Sequence, residues 1–170
     1  MLPRRSHGLL ARPGRHPYRA GMPTLPEWAT GLGLQQHPEG GWFAETYRSS
    51  VELSPDQLPP GYDGPRSLAT SIVFLLLPGE VSAWHQVRSD ELWIHQRGGP
   101  LALGLGGSDE AGPGPAVESV LGTDIDQSPQ LLVPAGTWQT ARPAADEPVL
   151  VGCVVAPGFD YRDWRLADQK

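Results

Sequence analysis

The chain has 170 residues, 13 of them basic and 19 acidic, giving a net charge of −6, with 21 glycines, 19 prolines and a single cysteine. That length supports one hydrophobic core rather than two. The acidic balance excludes a basic nucleic-acid-binding surface, no run approaches the apolar length of a membrane span, and one cysteine cannot form an internal disulfide, which fits a cytoplasmic protein.

Residues 1–22 are expected to be a disordered basic tail, with 23–168 forming one domain. The tail holds Arg4, Arg5, Arg12, Arg15 and Arg19 and no acidic residue, so the remaining chain sets nineteen acidic against eight basic groups. Arg4-Arg5 is not followed by the apolar stretch of an export signal, and Met22 is an alternative start. Thr24 is placed to cap a short helix, with Pro26 and Glu27 in its first turn and Gly31 or Gly33 ending it. Its apolar side, within 28–34, should lie against the body of the protein. His37-Pro38-Glu39-Gly40-Gly41 follows as a tight turn, since proline keeps His37 out of helical geometry.

Residues 42–49 alternate as a strand, with Phe43, Glu45 and Tyr47 on one face and Arg48 on the other. Residues 51–65 form a polar, proline-rich loop. The almost continuously apolar run 67–77 reads as a strand buried on both faces. Shorter strands are expected at 82–87, 91–97, 100–105, 116–121, 130–133, 137–141 and 148–156, separated by Gly98-Gly99, Gly106-Gly107 and Pro134-Ala135-Gly136. Cys153 falls inside an apolar run and is expected to be a small buried hydrophobe. Many short strands joined by glycine and proline turns indicate an all-β barrel.

One segment carries chemistry. Gly79, His85, Val87, Glu91 and Gly98 have the spacing of the first cupin motif, with Val87 where that motif has a second histidine. Pro134-Ala135-Gly136-Thr137-Trp138-Gln139 resembles the second motif, with Gln139 in place of its histidine. More narrowly, the chain resembles the Cupin 5 subfamily (domain of unknown function 985) through Leu34-Gln35-Gln36-His37-Pro38-Glu39-Gly40-Gly41, Glu45-Thr46-Tyr47-Arg48, Ser82-Ala83-Trp84-His85, Ser89-Asp90-Glu91-Leu92-Trp93, the 134–139 segment, and Val155-Ala156-Pro157-Gly158-Phe159-Asp160. The resemblance implies a double-stranded β-helix (cupin, jelly-roll) barrel, here with a short N-terminal helix, and a homodimer.

If 82–87 and 91–97 pair as a hairpin about 88–90, alternation puts His85 and Val87 on one face with Glu91, Trp93 and His95. Val87 then opposes Glu91, and His85 is a diagonal neighbour of Glu91 and His95. Glu91 and His95 lie about 13 Å apart along one strand, too far to share an ion. Gln139 is expected on the opposite wall. His85, Glu91 and Gln139 form a weak metal triad, short of two histidines and a carboxylate; His37 or His95 would have to complete a site for Fe, Mn, Ni or Zn. Without metal the same groups suit acid–base chemistry, because a carboxyl beside Trp93 in an apolar barrel titrates upward.

The reading is a small-molecule enzyme of isomerase or epimerase type, acting on a sugar or similar polar metabolite. His85 or Glu91 would abstract a proton beside a carbonyl, with Tyr47 as acid and Glu45 as an alternative partner. Gln139, Trp93, His95, His37 and Phe43 would contact the substrate. The alternatives are a non-catalytic barrel that binds a small ligand and a metal-dependent oxygenase or lyase. A nucleotide-sugar substrate is disfavoured, because alternation turns Arg48 away from the face that carries Tyr47.

Overall fold

The structure, a computed structural model, describes residues 24–168; the expected basic tail lies outside them. Thirteen short strands run through these residues: β1 (Gln35–Gln36), β2 (Trp42–Arg48), β3 (Glu52–Leu53), β4 (Arg66–Ser67), β5 (Thr70–Leu76), β6 (Ser82–Val87), β7 (Asp90–Gly98), β8 (Leu101–Leu105), β9 (Val117–Leu121), β10 (Gln130–Val133), β11 (Trp138–Pro143), β12 (Val149–Ala156) and β13 (Trp164–Leu166). They form a six-stranded sheet in the order β1-β2-β5-β12-β7-β10, a five-stranded sheet in the order β13-β6-β11-β8-β9, and a β3-β4 ribbon. All strand pairs are antiparallel. This is the jelly-roll barrel that the sequence implies.

The core lies between the two sheets. Phe74 and Leu76 from β5, Trp93 from β7, Leu101 and Leu103 from β8 and Val149 and Val151 from β12 meet there and are almost completely excluded from solvent. Alternation sends Leu75 and Leu77 through the other face of the six-stranded sheet. There they pack with Ala29 and Leu150 beneath Leu25, Trp28, Leu34 and Trp42. The run around β5 is therefore buried on both faces, as its composition predicts, and the N-terminal segment supplies the outer cover.

That segment is not the expected helix. It contains a single 3-10 turn, Glu27–Ala29, preceded by Pro26 and without a side-chain cap, so Thr24 caps nothing. Three residues close one hydrogen-bonded turn, too few to sustain a helix; burial of Ala29 and Trp28 fixes the segment instead.

The turn after β1 matters for function. Gly40 N–H donates to the His37 carbonyl at 3.0 Å, and His37 N–H donates to the Gly41 carbonyl at 3.0 Å. The Glu39 carbonyl accepts from Ala83 N–H at 2.8 Å, docking the turn on β6. Gly40 has φ +105°, and a Cβ there would collide with the Val81 carbonyl oxygen. Gly40→Ala is expected to lower stability by about 2 kcal/mol or more, from backbone strain plus the collision. Thermal unfolding tests this; an unchanged midpoint would mean that the turn tolerates rearrangement.

Candidate functional site

The expected β6–β7 hairpin does not form. β6 pairs with β11 and β13, whereas β7 pairs with β12 and β10. Arg88 and Ser89 carry the chain across from one sheet to the other. Arg88 N–H donates to the Asp163 carbonyl, and Ser89, 2% exposed, holds the Tyr62 hydroxyl at 2.8 Å. His85 and Glu91 consequently face each other from opposite walls. Gln139, expected across the barrel from His85, is its Cα partner on the neighbouring strand β11.

Between the walls lies a pocket of about 140 Å³. His37, Glu39, His85 and Glu91 form its polar end. Phe43, Ile72, Val87, Val155 and Phe159 supply apolar walls, while Glu45, Arg48, Tyr161 and Trp164 also line it. For scale, an apolar cavity of about 150 Å³ holds a benzene ring. A single small metabolite fits this volume.

The polar end is a cluster of four buried titratable side chains. His85 Nδ1 lies 2.8 Å from the Ala83 carbonyl, which only accepts, so Nδ1 carries the proton and Nε2 of the neutral ring presents its lone pair. That Nε2 lies 3.5 Å from Glu39 Oε2, and His37 Nδ1 lies 3.3 Å from the same oxygen. Glu39 Oε1 accepts from the Ser82 hydroxyl at 2.8 Å, and Oε2 accepts from the Trp164 indole at 3.2 Å. From β11, in the sheet that carries His85, Gln139 reaches across to the opposite wall: its Nε2 donates to Glu91 Oε2 at 2.6 Å, and its Oε1 accepts from Trp93 Nε1 at 2.9 Å.

Burial dominates the electrostatics. It pushes the carboxyl groups of Glu39 and Glu91 above their ordinary values, opposed by His37 for the first and by His85 for the second. It pulls His37 and His85 below theirs, opposed by Glu39 and Glu91 respectively. The Cys153 thiol, packed into the same wall, is driven well upward by burial and by both carboxylates, so it stays protonated. As expected it is a small buried group. Neutral imidazoles beside protonatable carboxyls are groups that exchange protons near neutrality.

The predicted residues divide as follows. His85, Glu91, His37, Phe43 and Glu45 line the pocket. Trp93 and Gln139 do not reach it; they stand behind Glu91, fully buried. Tyr47, proposed as the acid, is 55% exposed and outside. A β-bulge at Thr46 is the cause: Glu45 pairs with Ile72 but Tyr47 with Ser71, so two steps on β2 match one on β5. The bulge turns Tyr47 out and Arg48 in, reversing simple alternation. Arg48 then grips Glu45 through two hydrogen bonds of 3.0 and 2.6 Å at the pocket wall. His95 is also outside the pocket and lies 3.1 Å from the Gly99 carbonyl.

Sequence reasoning missed Glu39, Tyr161 and Trp164. Tyr161 packs over His37, with ring centroids 6.2 Å apart and planes 21° apart. Glu39 had a local signal, a carboxylate within the His37–Gly41 turn, but its burial depends on Ser82 and Trp164, far away in sequence.

The metal triad does not hold. The Gln139 carbonyl oxygen is taken by the Trp93 indole, and the amide turns its N–H toward Glu91. Val87 offers no ligand, and among the described residues no three His, Cys, Asp or Glu side chains are placed to hold one ion. Protein equilibrated with Fe, Mn, Ni or Zn and then desalted is expected to retain less than about a tenth of an equivalent by elemental analysis. Stoichiometric retention would overturn this reading of the donor set.

A larger depression, about 610 Å³, lies outside the barrel against Arg88, Arg162 and Arg165. It sits on the other face of β6, away from His85, and its arginines are engaged. Arg162 is held by Asp160 at 2.8 Å, Arg88 lies 3.4 Å from Asp163, and Arg165 donates to Gln86 at 2.8 Å. Acid–base groups converge in the smaller pocket. Among the described residues, no helix is long and apolar enough to cross a membrane.

The family described as Cupin_5, Cupin superfamily (DUF985), matches residues 26–167. A crystal structure of a protein from Shewanella oneidensis is 34% identical, covers 85% of each chain and superposes with a TM-score of 0.71. A hypothetical protein from Leishmania major is 29% identical over 81% of this chain and 84% of its own, with a TM-score of 0.69. An oxalate decarboxylase from Lactobacillus farciminis, crystallised with formate, shares the fold at 13% identity and a TM-score of 0.51, over 79% of this chain and 33% of its own. No curated protein gives a significant match.

Proposed function

The chain belongs to the Cupin_5 family of the cupin superfamily, a fold that binds or transforms small molecules, and from that premise we propose that it moves a proton on a small polar metabolite. The reaction class is isomerisation or epimerisation beside a carbonyl. The substrate is a single sugar or a similar short hydroxylated compound, limited by the pocket of about 140 Å³. The supporting observation is the convergence of Glu91, His85, Glu39 and His37 at one closed end of that pocket.

In this reading Glu91 removes the proton from the carbon beside the carbonyl. The electron pair moves into the carbonyl oxygen, giving an enol, and the proton returns to the neighbouring carbon or to the opposite face. His85, with Nδ1 committed to Ala83 and Nε2 free, passes a proton between Glu39 and the carbonyl oxygen. Tyr161 takes over the place assigned from sequence to Tyr47, because it lines the pocket and packs on His37.

Incubation in deuterium oxide with short aldoses, ketoses and 2-oxo acids tests the proposal. Proton NMR should show label entering the carbon next to the carbonyl. A compound that raises the unfolding temperature yet acquires no label would replace catalysis with ligand storage or sensing.

A further inference from the structure

We propose that Gln139 is a positioning residue, oriented by the Trp93 indole, which fixes Glu91 as the proton acceptor of the pocket. The inference deepens the proposed proton transfer and rests on it for its catalytic meaning, but its structural half stands apart.

The argument is one of hydrogen-bond direction. An indole N–H can only donate, whereas an amide has one accepting and one donating end. Trp93 is 1% exposed, pinned edge-on to Phe74 at 5.9 Å and 86°, with its Nε1 2.9 Å from Gln139 Oε1. The Gln139 amide, 0% exposed, therefore has one allowed orientation, with its oxygen toward Trp93 and its nitrogen toward Glu91. Turned over, it would set N–H against N–H at one end and oxygen against carboxylate oxygen at the other. Buried polar groups leave no water to relieve either clash.

The consequence falls on Glu91. Its Oε2 is committed to an N–H donor at 2.6 Å, which favours the ionised form and holds the side chain against rotation. The other oxygen is not engaged by Gln139. The remaining charged and titratable groups around the pocket are His85 from β6, Glu39 and His37 from the turn before β2, Cys153 from β12, Glu45 and Arg48 from β2, and Tyr161. Of these, the Cys153 thiol also donates to the Glu91 carboxylate, from the strand position paired with Trp93, and it stays in place in both variants below, so their difference from the wild type reports the Gln139 donor.

Gln139→Met keeps the volume and removes the N–H; Trp93→Phe frees the amide to turn. Carbon-13 NMR of the glutamate carboxyl carbons, without substrate, follows Glu91, its signal assigned by its loss in Glu91→Gln. In Gln139→Met the Glu91 titration should move to higher pH by about one unit. Trp93→Phe should move it in the same direction by less. The acidic limb of the deuterium-exchange profile should move with each. If Gln139→Met does not fold, the isosteric Gln139→Glu should move the titration the same way, because two facing carboxyls share a proton.

An unchanged Glu91 titration in folded variants overturns the proposal. Titration shifts in a protein that exchanges no label uphold the positioning role and remove the proposed reaction instead.

Discussion

Glu91→Gln is expected to lower deuterium exchange by about 10²–10⁴-fold while leaving the barrel folded. The substitution keeps the shape of the side chain and an oxygen that can still accept from Gln139, so the wall between the sheets survives. What disappears is the carboxyl group that faces His85; Glu45, which the same sheet also brings to the pocket, is held by Arg48. Stability should change little at neutral pH, and its pH dependence gives a second readout. Burial raises the Glu91 carboxyl above its ordinary value of 4.5, so between that value and its folded value the folded chain holds a proton that the unfolded chain has lost. The stability associated with that proton is fully present below 4.5 and is lost as pH rises through the folded value. Denaturant midpoints measured across this window should fall with pH in the wild type and fall less in Glu91→Gln. Full exchange activity in a folded Glu91→Gln protein would move the base to Glu39.

The sequence carried the barrel well because short strands with glycine and proline turns leave a strong local signal. All nine strands expected between 42 and 156 are present, with boundaries displaced by a few residues at most. Pairing was another matter. His85 and Glu91 are six residues apart, and that spacing suits a hairpin as well as a crossing between sheets. The choice was made by distant partners: β13 and the Gly136 N–H, which donates to the Val87 carbonyl. Alternation correctly placed His85, Glu91 and Phe43 inside and failed after Glu45, because the extra residue at the bulge is not marked by a glycine or proline. Glu39 and Trp164 belong to one hydrogen bond across 125 positions, beyond the reach of any local pattern. The motif positions Val87 and Gln139 were legible as departures from a metal site. The orientation of the Gln139 amide was not, since it depends on which side Trp93 stands.

The largest stability effect is expected at a pair that sequence reasoning did not connect: Arg66, a candidate phosphate contact from sequence, lies outside the pocket and is bound to Asp163. Arg66 and Asp163 form an ion pair with side chains only 2% and 3% exposed. Arg66 Nε and one terminal nitrogen reach the two Asp163 oxygens at 2.6 and 3.0 Å. Its other terminal nitrogen donates to the carbonyls of Asp63, Gly64 and Pro65 at 2.9, 3.1 and 2.9 Å. Asp163→Ala removes the countercharge and leaves a guanidinium that water cannot reach, which costs about 3–5 kcal/mol. Asp160→Ala is the control, because it breaks a more exposed pair with Arg162 and should cost no more than about 1 kcal/mol. A compensated double variant, Arg66→Met with Asp163→Leu, should recover much of the loss, since replacing both buried charges by apolar groups is often neutral. The effect should reach the pocket. Asp163 immediately precedes Trp164, whose indole holds Glu39, and its own carbonyl anchors Arg88 at the corner leading to Glu91. Asp163→Ala should therefore slow exchange even at temperatures where the protein is fully folded. Chemical denaturation and exchange rates on the three variants decide the matter: equal losses for Asp163→Ala and Asp160→Ala would show that the buried pair does not hold this corner of the barrel.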